Sequence, residues 1–118
     1  MKTSELTGAA LDWAVAKCEG YFDIDMAVVR NGTTVVHYFD KWQPSTDWSL
    51  SGPIIEREGI TTAPRKEHGK RVAWVATLIE PPAVCECEGK TQLIAAMRCF
   101  VASRLGDTVN IPEELRGE

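Results

Sequence analysis

Residues 42 to 59, WQPSTDWSLSGPIIEREG, bring two indoles, several hydroxyls and a carboxylate next to an abrupt Ser-Gly-Pro, with no sustained strand or helix period. Indoles spaced like Trp42 and Trp48 can stack on a flat ring, and Asp47 can accept hydrogen bonds from a ribose or a base edge. Gly52-Pro53, followed by Ile54 to Glu58 and Gly59, has the proline-first, glycine-last asymmetry of a short helix. The unpaired N–H groups at such a start, with the hydroxyls of Ser49 and Ser51 beside them, suit a phosphate or carboxylate. The candidate ligand set is therefore Trp42, Ser45, Thr46, Asp47, Trp48, Ser49, Ser51 and Gly52, with Arg57 as a cation on the same helix. A competing reading uses the same residues differently: Ser45, Thr46 and Asp47 form side-chain-bonded turns, and the tryptophans plug the loop onto the core.

Other chemistry is thin. No Ser/His/Asp arrangement of known type, phosphate-binding glycine loop or paired-histidine metal motif is present. Glu56 and Glu58 are read as exposed carboxylates of ordinary acidity, which make poor acids at neutral pH. His37 stands alone in a strand pattern and reads as structural. No catalytic residue is assigned, and the balance is against an enzyme. Cys85-x-Cys87 with Cys99 lacks the paired spacing of a zinc site, so no metal is expected. With Cys18 these are read as reduced thiols, and no cofactor is implied.

Composition narrows the partners. A chain of 118 residues, 44% hydrophobic, fits one domain spanning 1–118. Thirteen Lys/Arg against seventeen Asp/Glu give a net charge of −4, which argues against a nucleic-acid partner. Asp12 and Lys17 interrupt the first apolar stretch, and no segment reaches the ~20 apolar residues that span a bilayer, so neither a signal peptide nor a membrane partner is expected.

The elements that must position the candidate site follow from periodicity. Leu11, Ala14, Val15 and Cys18 predict a helix over 8–18, with Thr7 as N-cap, Gly20 closing it and Trp13 in the core. Two β-branched runs around Asn31-Gly32 predict a hairpin, about 25–30 and 33–39. A further strand is expected over 71–79, stopped by Pro81-Pro82, whereas the polar run from Ile60 to Lys70, with Arg65 and Lys66 just ahead of Lys70 and Arg71, reads as a solvated loop, guidance of an anion by its charges being the lesser alternative. Thr91 to Gly106 bounds a second long helix with Ile94, Met97, Val101 and Leu105 on one face and Arg98 and Arg104 toward solvent. The tail from Asp107 to Glu118 carries Ile111-Pro112 and a short acidic-apolar turn around Leu115, and is expected to fray beyond it. The fold class is α+β: a small single domain whose antiparallel sheet carries two amphipathic helices packed on one face.

Three segments carry a resemblance: residues 2–17 (KTSELTGAALDWAVAK), Pro44-Ser45-Thr46-Asp47-Trp48 leading to Gly52-Pro53-Ile54-Ile55-Glu56-Arg57-Glu58, and residues 95–103 (AAMRCFVAS). In these the chain resembles the NinX-like family of small tailed-phage and prophage proteins. That family has no assigned activity, so the resemblance implies a setting, an accessory phage protein in the host cytoplasm, and carries over no catalytic residues. It also makes block 44–58 part of a family signature, which favours the site reading over the turn reading. The expected partner is a small anionic, nucleotide-like molecule, sequestered as a host defence signal. The alternatives are inhibition of a host protein and, third, a small nucleotide hydrolase or lyase. Self-association into a homo-oligomer would let two chains close one site.

Overall fold

A computed structural model describes residues 1–19, 42–80 and 83–111. The expected hairpin at 25–39, with His37, lies outside the described residues. A 3-10 turn, Thr3–Glu5, leads into helix α1, Gly8–Cys18, and the chain continues through α2, Trp48–Glu58. Strands β1 (Thr61–Glu67), β2 (Lys70–Glu80) and β3 (Ala83–Gly89) then form an antiparallel meander, and α3, Gln92–Leu105, completes the order.

Helix α1 has its expected bounds, with Thr7 in extended backbone as N-cap. Seven consecutive residues, Ala10 to Ala16, are buried, so α1 is enclosed on all sides rather than along one stripe. Trp13 is among them, as its core assignment predicted. Helix α3 also has its expected bounds; the Thr91 side chain accepts the Ile94 N–H at 3.1 Å. It lies directly on the sheet, where the Cys99 thiol donates to the Cys85 carbonyl at 3.3 Å, while α1 and α2 pack against α3. The α+β layer is therefore present, with α3 at its centre. Arg98 departs from its expected solvent role: it is half-buried and donates to the carbonyls of Leu6 at 2.8 Å and Glu88 at 2.7 Å, strapping three segments together.

The run after Ile60 is a strand, not a loop. Thr61–Glu67 is polar because it lies at the edge of the described sheet with mostly exposed side chains, and Pro64 is tolerated there because an edge needs fewer N–H donors. The turn into β2 is the two-residue His68-Gly69 with φ of 54° and 80°, the left-handed pair of a type I′ hairpin. Strand β2 carries Trp74, Ala76 and Leu78 toward α3. One irregularity interrupts it: Arg65 pairs with Ala73 but Lys66 pairs with Arg71, leaving Val72 as an extra residue in a β-bulge.

The segment after α3 is docked as far as Ile111. Thr3 N–H donates to the Asp107 carbonyl at 2.8 Å, Lys2 bridges Thr108, and Val109 and Ile111 are buried.

Candidate functional site

The site begins with a buried carboxylate on α1. Asp12, only 4% exposed, accepts the Ser45 N–H on Oδ1 at 2.8 Å, and its backbone carbonyl accepts the Trp42 indole N–H at 2.9 Å. The segment after Trp42 is thereby fastened to α1. A tight turn follows, in which the N–H groups of Thr46 and Asp47 donate to the Gln43 carbonyl at 3.0 and 2.9 Å.

Asp47 ends the turn by capping α2. Its Oδ1 accepts the Ser49 N–H at 2.9 Å and the Ser49 hydroxyl at 2.6 Å, and these bonds hold its carboxyl below the usual range. This corrects the expected helix start at Gly52-Pro53. The helix starts one turn earlier, at Trp48, because Asp47 supplies a cap that proline cannot, and Pro53 sits inside it. The N–H groups assigned to an anion at Gly52 are thus interior to the helix, and Ser51 donates its N–H to the Asp47 carbonyl at 3.1 Å.

The nine predicted residues therefore separate. Trp42 turns inward against the core and Trp48 outward, 52% exposed, so the two indoles do not form one clamp. Ser51 is fully buried with its hydroxyl on the Asp47 carbonyl, and Ser49 is engaged by Asp47. Arg57 is committed elsewhere: it binds both oxygens of Glu19, at 2.6 and 3.3 Å, and contacts Glu58 at 2.8 Å. Burial pushes the Glu58 carboxyl up, but the guanidiniums of Arg57 and Arg104 outweigh it and hold the group below its ordinary value.

Ser45, Thr46 and Trp48 come together on the wall of an open cavity of about 410 Å³. The opposite wall consists of Arg71 and Trp74 from β2, and of Lys90 with Thr91 to Ile94 at the start of α3. Of these the sequence signalled only Arg71 for an anion, as one of the charges beside the polar run 60–70. The Arg71 guanidinium lies over the Trp74 ring at 5.3 Å. In a regular strand, residues three apart face opposite ways; the bulge at Val72 is what brings Arg71 round to the Trp74 face. The cross-strand neighbours of Trp74 are Pro64 and Gly89, which leave its surroundings low. Among the described residues the lining contains no carboxylate, histidine or thiol, and therefore no general base that titrates near neutrality.

Cys18, Cys87 and Cys99 offer little reactivity. Burial pushes Cys18 and Cys99 up to about 12 and raises Cys87, which disfavours the nucleophilic thiolate.

Asp12 links the site to pH. Burial raises its carboxyl from 3.8 to about 6, against the two Ser45 contacts that lower it. The folded state thus holds this proton more tightly than the unfolded chain. The associated stability is fully present below the unfolded value of 3.8 and is lost as pH rises through about 6. The difference amounts to about 3 kcal/mol at pH 7. Asp12→Asn, whose amide oxygen can still accept the Ser45 N–H, should flatten this part of the curve and raise stability at pH 7 by up to that amount. Urea midpoints taken at several values between about pH 4 and 7 measure it. An unchanged slope in the variant would show that Asp12 titrates as an ordinary carboxylate.

A family model described as "Bacteriophage P22, NinX" matches residues 2–104. No curated protein matches the chain.

Proposed function

Since the chain belongs to the NinX family of phage proteins, we propose that it is a phage accessory protein that binds a small anionic, nucleotide-like molecule and so withdraws a host defence signal. The observation that supports this reading is the composition of one cavity: an outward-facing indole, Trp48, shares it with two cations, Arg71 and Lys90, and with no acid among the described residues. Its volume of about 410 Å³ falls within the range of small-molecule pockets. A lining without a base favours sequestration over turnover.

The test is a melting-temperature panel of nucleosides, mononucleotides, cyclic nucleotides and ADP-ribose derivatives, since any ligand that prefers the folded state raises the midpoint. Trp48→Ala removes the stacking face at an exposed position and should weaken binding by about 1–3 kcal/mol with little change in the unliganded midpoint. A folded protein that no compound stabilises would end this reading.

A different surface favours inhibition of a host protein. Ile79 and Val84 are cross-strand neighbours, 65% and 63% exposed. Ile79→Lys would abolish capture of a stoichiometric host protein under that alternative and leave ligand stabilisation intact.

A further inference from the structure

The described arginines are spoken for, with one exception. Arg57, Arg65 and Arg104 each pair with glutamates, and Arg98 donates to two backbone carbonyls. Arg71 has no acidic or carbonyl partner among the described residues; its contact is the ring of Trp74, and its cross-strand neighbour is another cation, Lys66. Lys90, on the same cavity, likewise has no acidic partner among the described residues. Two positive charges therefore face one space with no described acid to balance them.

Resting on the nucleotide-like reading above, we infer that the occupant carries a phosphomonoester, received by Arg71 and Lys90, and that Trp74 is a positioning residue that holds Arg71 for it. A phosphomonoester carries about −1.5 to −2 charges at pH 7 and offers three acceptor oxygens. A cyclic or bridging phosphodiester carries a single charge and leaves one of the two cations uncompensated. A guanidinium held over an indole by cation–π attraction makes no hydrogen bond to it, so its N–H groups stay available for a two-point contact with phosphate. That contact also divides the labour of the two indoles. Trp74 is occupied by Arg71, so a ligand ring takes the exposed Trp48. The Thr91 hydroxyl oxygen accepts the Ile94 N–H and the Gln92 amide donates to Thr62 at 3.0 Å, so the charge of a phosphate is met by the two cations.

The experiment is calorimetric titration of the whole chain with adenosine 5′-monophosphate, 3′,5′-cyclic adenosine monophosphate, adenosine and inorganic phosphate, with the guanosine series in parallel. The 5′-monophosphate should bind about tenfold or more tighter than the cyclic diester of the same base. Arg71→Lys, which keeps the charge and loses the plane, should cost the monophosphate about tenfold and leave the nucleoside unchanged. Trp74→Leu should reproduce that selective loss, and Trp74→Phe should restore most of it, a pattern that general damage to the fold would not give. Cyclic diester bound as tightly as the monoester, or monoester affinity unmoved by Arg71→Lys, would overturn the inference while leaving the nucleotide reading standing. Phosphate bound through Arg71 with no contribution from any base would do the reverse. A folded protein that binds none of these probes would end both.

Discussion

Phe100→Ala should cost about 3–5 kcal/mol of folding free energy, because Phe100 is the largest fully buried side chain among the described residues. Phe100 is fully buried near the middle of α3, the helix that touches the sheet on one side and α1 and α2 on the other. Removing its ring therefore opens a void where every layer meets. The ring has a second role, because the guanidiniums of Arg57 and Arg104 lie over it at 5.7 and 5.3 Å. Those two arginines hold Glu58 between them, and Arg57 reaches on to Glu19 at the end of α1. Phe100→Leu separates the contributions, since it retains much of the apolar volume but not the π face, and should cost less than the alanine variant. Equilibrium denaturant unfolding of both measures this. A loss below about 1 kcal/mol in Phe100→Ala would show that the centre of the core can collapse around the gap.

Gly89→Ala should destabilise by about 1–3 kcal/mol, although it adds a single methyl group. A Cβ at this position would lie 2.6 Å from the Ala95 nitrogen, 2.8 Å from Ile94 Cγ2 and 3.0 Å from the Ala95 Cα. Two of those three atoms are helix backbone, so the clash is relieved only by moving the end of β3 away from the first turn of α3. That movement also displaces Lys90 and opens the gap opposite Trp74, so ligand affinity should fall together with stability. Gly52→Ala is the matched control. Gly52 lies inside α2 with nothing beyond its own helix neighbours within 4 Å of the point its added methyl group would occupy; helix propensity favours alanine there and the following Pro53 disfavours it, so the change should stay within about 1 kcal/mol. A clearly larger loss at Gly89 than at Gly52, read from thermal or urea midpoints, tests the close approach. A harmless Gly89→Ala would disprove it.

The helices were legible because their signals are local. Thr7 and Thr91 stand just before apolar repeats and Gly106 just after one, and both helices have the bounds that those residues imply. Strand β2 was legible from its β-branched run. Strand β1 was hidden by its own polarity and by Pro64, which an edge position permits. Strand β3 did carry a period of two, Cys85 and Cys87 turned toward the core and Glu86 and Glu88 toward solvent, but its cysteines drew attention to metal chemistry instead. The candidate site was half legible. Ser45, Thr46 and Trp48 are neighbours in sequence, whereas Arg71, Trp74 and Lys90 meet them only through pairing across the sheet. No periodicity argument places Arg71 beside Trp74, because regular alternation puts them on opposite faces and only the bulge reverses this. The Gly52-Pro53 start was misplaced because two local rules competed there, and the aspartate cap prevailed over the proline preference.

The enclosure of α1 also has a consequence for synthesis. This helix leaves the ribosome well before α3, against which it packs and which is encoded near the other end of the matched region. The sheet and α3 are contiguous in the chain and can assemble through short-range contacts, while the packing of α1 against α3 is completed only once α3 emerges. The earlier-made helix is therefore the later to reach its final place.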